Sequence, residues 1–163
     1  MKSPYRELRQ ELDEAYRRFM ESGWYVLGEE TQQFESEYAA YCGTDYCVGV
    51  SNGLDALHLA LRAFDIGRGD EVIVPSNTYI ATWLAVTYAG AKPVPVEPDL
   101  NTFNIDPFRI EEAVSPRTKA IMPVHLFGQS AEMDPIMELA KEYNLKVIED
   151  AAQSIGSKYK GRL

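Results

Sequence analysis

The carboxylates and the amide that follow the apolar run Val147-Ile148 are the residues of this chain best suited to chemistry. Glu149 and Asp150 come directly after that run, which predicts a buried strand, and Gln153 follows two small alanines. In open α/β sheets, ligands bind outside the carboxyl ends of the strands. A carboxylate there, with room left by the alanines, suits a flat ring with a protonated nitrogen. Asp150 taken alone is equally well interpreted as the cap of a turn.

Two more positions could contact the same ligand. Ser51-Asn52-Gly53 precedes a predicted helix, whose free backbone N–H groups and dipole favour a phosphate, although an ordinary N-cap explains the same residues. Tyr79 follows the next predicted strand and could stack on a flat ligand, although core packing is the commoner role of an isolated aromatic residue. His125, at the end of a later strand, is better interpreted as a hydrogen-bonded polar residue than as an acid or base.

Alternating strands and helices predict the fold that would position these residues. Apolar residues at helical spacing predict helices in the first forty residues, interrupted by a turn at residues 23–28. Further helices are predicted at residues 54–63 and 79–88 and after two aspartate–proline pairs, Asp106-Pro107 and Asp134-Pro135. The predicted strands are residues 47–50, 71–74, 92–96, 120–124 and 146–149. This alternation predicts an α/β fold, a three-layer αβα domain with a mostly parallel sheet.

The candidate residues coincide in this predicted fold. Gly53, Tyr79, His125 and Asp150 all lie near the ends of successive predicted strands. Because the strands are predicted to be parallel, these residues share one edge of the sheet. A phosphate cradle, a stacking ring and a carboxylate for a ring nitrogen together describe a pocket for pyridoxal 5'-phosphate.

The net charge, the apolar runs and the missing motifs argue against several other classes of function. The formal net charge of −9 argues against nucleic acid or an anionic membrane as a partner, and no apolar run approaches the length that spans a bilayer. Neither a phosphate-binding P-loop motif nor a Rossmann fingerprint is present. Cys42 and Cys47 do not make a disulfide scaffold, and we expect free thiols in the cytoplasm. The cysteines and the two histidines form no metal-ligand spacing, so no metal site is predicted.

The motifs resemble the pyridoxal-phosphate-dependent nucleotide-sugar aminotransferases, the DegT/DnrJ/EryC1/StrS family. The resemblance covers essentially the whole chain in order. It rests on the segments Gly-Trp-Tyr-Val-Leu-Gly at 23–28, Ser-Asn-Gly-Leu-Asp-Ala-Leu at 51–57, Pro-Ser-Asn-Thr-Tyr-Ile-Ala-Thr at 75–82, Val-His-Leu-Phe-Gly at 124–128 and Val-Ile-Glu-Asp-Ala-Ala-Gln at 147–153. The second of these segments resembles the subgroup that aminates C3 of the sugar more than the C4 subgroup.

The resemblance implies a fold, a cofactor and a role for each site residue. The fold would be the large domain of fold-type I enzymes, which is aspartate aminotransferase-like. Gly53 and Leu54 would bind the cofactor phosphate through backbone N–H groups, and Tyr79 would stack on the pyridine ring. Asp150 would pair with the ring nitrogen, and Gln153 would hydrogen-bond the phenolic oxygen. The reaction would transfer an amino group, usually from glutamate, to a nucleoside-diphosphate-linked keto sugar, in amino-sugar or polysaccharide biosynthesis.

The chain also departs from the family pattern. None of its lysines stands in the context of the catalytic Schiff-base lysine, which would lie beyond Leu163. Residues 1–163 would therefore be the amino-terminal portion of the cofactor-binding large domain, truncated before the carboxy-terminal small domain, and inactive alone. The full-length protein would be a homodimer. Two alternatives stay open: a sugar dehydratase of the same family, in which histidine replaces that lysine, and a non-catalytic regulatory or binding relic of the fold.

Overall fold

The chain divides into two structural units, Met1–Gly49 and Val50–Leu163, and the computed structural model describes residues 3–163. Each unit has its own helices, and the only sheet of the described residues belongs to the second unit. Among residues 3–163, no helix has the length and apolar character needed to cross a bilayer.

Two helices and a turn make up the first unit. The helices are α1 (Ser3–Ser22) and α2 (Glu29–Cys42), as the spacing of their apolar residues predicts. Residues 23–28 are not helical, which confirms the predicted turn, and there the Trp24 indole N–H donates to the carbonyl of Val26 at 2.6 Å. Gly43 ends α2 in the left-handed region, with φ of 69°.

The second unit alternates helices and strands. Its helices are α3 (Gly53–Ala63), α4 (Ile80–Tyr88), α5 (Pro107–Ala113) and α6 (Met133–Glu142), with a single 3-10 turn at Leu126–Gly128. Its strands are β1 (Glu71–Pro75), β2 (Lys92–Val96), β3 (Thr118–Ile121) and β4 (Lys146–Val147). All neighbouring strands are parallel, in the spatial order β2-β1-β3-β4.

Helices cover both faces of this sheet. One buried apolar cluster joins α3 and α4 to the face that carries Val72 and Val74 of β1. A second cluster joins α5 and α6 to the opposite face, which carries Ile73 of β1 and Ile121 of β3. Side chains alternate between the faces of a strand, so a strand buried on both faces carries a nearly continuous apolar run, here Val72 to Val74. The three-layer α/β prediction is confirmed.

Strand β2 is an edge strand, as its two prolines predict. It pairs only with β1, in a register that places Pro93 opposite Val72 and Pro95 opposite Val74. A proline cannot donate to a ladder hydrogen bond, so it is tolerated where one side of the strand has no neighbour.

Two predictions about local structure are wrong. Residues 47–50 are not a strand, because no strand of the described residues pairs with them, and Val48 is 76% exposed. Helix α6 begins at Met133 with Glu132 at the N-cap, so Asp134 does not cap it. Proline at position 135 is still acceptable, because the N–H groups of the first helical turn have no partner within the helix.

Candidate functional site

The start of α3 presents backbone N–H groups that the chain itself leaves available. Asn52 caps the helix, since its side-chain oxygen accepts a hydrogen bond from the Asp55 N–H at 2.9 Å. Its carbonyl accepts from the Ala56 N–H at 3.1 Å. The N–H groups of Gly53 and Leu54 donate to no acceptor within residues 3–163. A Cβ placed on Gly53 would meet no atom within 4 Å, so the backbone there is open to close approach. A phosphate cradle needs such free N–H groups, and phosphate binding here stays a prediction.

Tyr79 stands immediately before α4, at the N-cap position. The residue is 72% exposed, so the core-packing interpretation is wrong. The side chain makes no hydrogen bond within residues 3–163, and its exposed face is available for stacking on a flat ligand.

The carboxylate of Asp150 accepts two hydrogen bonds, one on each oxygen. The hydroxyl of Thr82 donates to Oδ2 at 3.0 Å, and the N–H of Ala152 donates to Oδ1 at 3.2 Å. The second bond closes a local turn, so the turn-cap interpretation is also correct. The backbone of Asp150 is fixed as well, because it pairs with Val124 of the neighbouring segment in a parallel bridge.

The side chain of Gln153 is held by one end only. Its Oε1 accepts from the backbone N–H of Phe127 at 2.9 Å, whereas its Nε2 makes no hydrogen bond within residues 3–163. The orientation therefore leaves the NH₂ group free to donate to a ligand. Phe127 lies in the turn Leu126–Gly128 and has φ of 57°, a conformation that costs energy for a non-glycine residue.

These elements converge on one cavity of about 440 Å³ in the second unit. Its polar lining includes Asn52, Thr78, Tyr79, Asp150 and Gln153. Gly53 and Leu54 also line it, together with apolar residues that include Leu57 of α3 and Leu84 of α4. The structure therefore brings all five residues predicted to bind the cofactor to a single cavity.

His125 is not part of this cavity. The residue is 5% exposed, its Nδ1 accepts from the Ala131 N–H at 3.1 Å, and its Nε2 lies 2.9 Å from the Glu149 carboxylate. Because Nδ1 accepts, the proton of a neutral ring is on Nε2 and is donated to Glu149. That hydrogen bond lowers the pKa of Glu149, and burial opposes the change. His125 is thus a satisfied buried polar residue, as the sequence favoured.

The first unit contains a second cavity, of about 420 Å³, between the end of α1 and the start of α2. Arg18 is the one cation in its lining, and Glu30 already pairs with it at 2.9 Å. None of the residues predicted to bind a cofactor lies there. We therefore take the cavity of the second unit as the functional site.

Two buried polar residues of the second unit could not be identified from the sequence. Thr82 bonds Asp150 across 68 positions of sequence. Asn104 is 2% exposed and joins two loops: it accepts from the Leu126 N–H and donates to the Gln129 carbonyl, both at 3.0 Å. The place of Thr82 one helical turn after Tyr79 was the only signal available, and nothing marked Asn104.

Comparison with known proteins finds a matching family model and similar relatives. The family model described as the DegT/DnrJ/EryC1/StrS aminotransferase family matches residues 6–163. The dTDP-3-amino-3,6-dideoxy-alpha-D-galactopyranose transaminase of Aneurinibacillus thermoaerophilus is 59% identical over 98% of this chain and 46% of its own length. The chain therefore spans less than half the length of this relative.

Solved structures agree with this relationship. DesV of S. venezuelae, solved in complex with a ketimine intermediate, superposes with a TM-score of 0.97 at 56% identity, over 99% of this chain and 43% of that chain. NtdA of Bacillus subtilis, solved with bound cofactor PMP, superposes with a TM-score of 0.89 at 39% identity, over 92% of this chain and 34% of that one.

Proposed function

The chain belongs to the DegT/DnrJ/EryC1/StrS aminotransferase family, and from that premise we propose that it forms the cofactor-binding part of a nucleotide-sugar aminotransferase. The complete enzyme would transfer an amino group from an amino acid, expected to be glutamate, to a keto sugar linked to a nucleoside diphosphate. The name of the relative from A. thermoaerophilus supports this proposal, because it describes a transaminase of a dTDP-linked amino sugar.

The observation that carries the proposal is the chemistry of the 440 Å³ cavity. The volume falls in the usual range of small-molecule pockets. The cavity lining combines available N–H groups at a helix N-terminus, a carboxylate, a donating amide and an exposed aromatic residue. This donor set fits a phosphorylated hydroxypyridine such as pyridoxal phosphate, which needs an anion site, a partner for a ring N–H and a donor for a phenolic oxygen.

Each residue then has a distinct task. The N–H groups of Gly53 and Leu54 bind the phosphate, and Tyr79 covers one face of the ring. Asp150 accepts a hydrogen bond from the protonated ring nitrogen, and Gln153 donates to the phenolic oxygen through its free NH₂ group. When bound, the protonated pyridine ring supplies an electron sink for the substrate carbon that loses a proton. Asp150 keeps that proton on the ring because an adjacent negative charge favours the cationic form.

An aminotransferase of this kind also needs a Schiff-base lysine. No lysine of residues 3–163 lines the cavity, and Lys160, close after the Asp150 motif, is paired with Asp134. We therefore propose that the lysine lies beyond Leu163, and that residues 1–163 are the amino-terminal part of the large domain. The homodimer and the cytoplasmic location stay predictions.

The proposal also specifies which carbon of the sugar receives the amino group. We propose amination at C3 of a dTDP-linked 6-deoxy keto sugar. The segment at residues 51–57 supports this position, and so does the 3-amino product in the name of the relative from A. thermoaerophilus.

Cofactor binding is the first test of the proposal. Pyridoxamine 5'-phosphate is the suitable probe, because it carries an amine instead of an aldehyde and cannot react with surface lysines. Calorimetry should detect one site per chain, and Asp150→Asn should weaken it about tenfold or more, since a neutral amide does not compensate the ring charge. The control is Asp134→Asn, which removes a carboxylate outside the cavity. No binding by the unaltered chain, or equal binding by D150N, would refute the proposed pocket.

Activity is tested with the complete gene product. It should convert glutamate to 2-oxoglutarate in the presence of a dTDP-linked 3-keto-6-deoxy sugar, followed by product mass and by NMR at C3. Amination at C4, or release of water without transfer of nitrogen, would overturn the proposed reaction.

A further inference from the structure

A buried hydroxyl touches the carboxylate at the centre of the proposed pocket. Thr82 has no exposed surface, and it lies in α4 near Ala85 and Val86, which belong to the apolar core. A valine has nearly the same shape, so packing alone does not require a threonine here. Burying a hydroxyl is unfavourable unless it forms hydrogen bonds. The hydroxyl of Thr82 therefore has a purpose other than filling space.

The hydrogen bonds around Thr82 have one possible direction. A hydroxyl carries a single proton, and an ionised carboxylate can only accept. Since the Thr82 hydroxyl lies 3.0 Å from Asp150 Oδ2, its proton goes to Asp150. The Thr78 hydroxyl lies 3.0 Å from that of Thr82, which has no second proton to give. Thr78 must therefore donate to Thr82, and the chain runs from Thr78 through Thr82 to Asp150.

We propose that Thr82, supported by Thr78, is a positioning residue that fixes the carboxylate of Asp150 for pairing with the ring nitrogen of a pyridine ligand. This inference rests on the proposed function of the cavity. The Ala152 N–H on Oδ1, at 3.2 Å, is the longer of the two bonds to the carboxylate. Without Thr82, that single bond leaves the carboxylate free to turn about its Cβ–Cγ bond. A carboxylate with several orientations pays an ordering cost when it pairs with a ligand.

Thr82→Val tests the proposal, because it removes the hydroxyl and keeps the shape. Thr82→Ser restores the hydroxyl, and Thr87→Val is the matched control. Thr87 lies in the same helix, but its hydroxyl bonds only the carbonyls of Trp83 and Leu84 within α4. Circular dichroism and thermal midpoints first establish that each variant is folded.

The expected result is a loss of affinity that depends on the ring nitrogen. Thr82→Val should bind pyridoxamine 5'-phosphate about tenfold more weakly, as expected for a lost hydrogen bond to a charged group. Its affinity for the analogue with carbon in place of the ring nitrogen should not change. Thr82→Ser should recover most of the affinity, and Thr87→Val should match the unaltered chain. Thr78→Val should show a smaller loss of about threefold, because it acts one bond further away.

A spectroscopic measurement separates positioning from a general disturbance of the pocket. The ultraviolet absorbance of the bound ligand reports protonation of the ring nitrogen as pH is raised. In Thr82→Val, the nitrogen should lose its proton at a lower pH than in the unaltered chain. Equal loss of affinity for both ligands, or an unchanged nitrogen titration, would overturn the inference. Failure of the unaltered chain to bind either ligand would instead overturn the proposed function.

Discussion

Glu71 provides the sharpest test of what holds the second unit together. It is the first residue of the central strand β1 and is 4% exposed. Its Oε2 accepts from the Ser115 hydroxyl at 2.6 Å, and its Oε1 accepts from Arg117 at 2.7 Å, with the Lys92 ammonium at 3.5 Å. The cluster ties together three segments: β1, the edge strand β2 and the loop before β3. We predict that Glu71→Gln destabilises the protein at neutral pH.

The pKa of Glu71 sets the size of this effect. The hydrogen bonds from Ser115 and Arg117 lower it from 4.5 to about 2. At about 1.4 kcal/mol per pKa unit, the upper bound is about 3.5 kcal/mol. The side chains of Arg117 and Lys92 are 63% and 70% exposed, so water and salt screen their charges. We therefore expect about 1–2 kcal/mol for Glu71→Gln at pH 7.

The pH dependence gives the prediction its direction. Because the folded-state pKa is depressed, the stabilisation is fully present above about pH 4.5 and is lost as the pH falls towards 2. Urea unfolding at pH 7 and pH 3 should show that the difference between the unaltered chain and the variant shrinks by more than half at pH 3. The exposed Glu138→Gln in α6 is the control and should change little. An unchanged difference between the two pH values would refute the electrostatic reasoning.

Three other substitutions test the site and its supports. Tyr79→Ala should change the free energy of unfolding in urea by less than about 0.5 kcal/mol, because the residue is exposed. It should weaken the binding of pyridoxamine 5'-phosphate, measured by calorimetry, about three- to tenfold. Asn104→Ala should lower the free energy of unfolding in urea by about 2–3 kcal/mol, because the Leu126 N–H and the Gln129 carbonyl lose their partner. A change under about 1 kcal/mol would contradict this account. Asp106→Ala should lower the free energy of unfolding in urea by about 1 kcal/mol, because α5 loses its N-cap.

The parts of the fold that depend on local rules could be predicted from the sequence. Prolines at 93 and 95 marked an edge strand, and Asp106-Pro107 marked a helix start; both predictions are confirmed. The cap at Asp106 works because its carboxylate accepts from the N–H two residues later, at 3.0 Å. Such contacts involve neighbours in sequence, so the sequence contains the whole signal.

Predictions that depend on distant partners were less successful. An apolar run such as residues 47–50 has the composition of a strand, but it becomes one only if another strand pairs with it. The helix start near Asp134 was misplaced: Glu132 stands at the N-cap position, although its side chain makes no capping hydrogen bond. The tertiary contacts of Asp134, a hydrogen bond from its N–H to the Tyr159 hydroxyl at 3.3 Å and a pair with Lys160, depend on residues far along the chain.

The same distinction between local and distant contacts explains which site residues could be predicted from the sequence. It also indicates how binding and stability should respond to their substitution. Groups predicted to contact the ligand, such as Tyr79 and Gln153, lie at the ends of elements and are exposed, so their sequence context shows them. By contrast, Thr82, which bonds Asp150, and Asn104, which bonds Leu126 and Gln129, are buried and act across 20 or more positions of sequence. Exposed groups have few contacts to lose, so their substitution should change binding but not stability. Substitution of the buried groups should change both, unless the replacement keeps the shape, as valine does at Thr82. That exception makes Thr82→Val the variant in which orientation of the carboxylate can be measured apart from the stability of the fold.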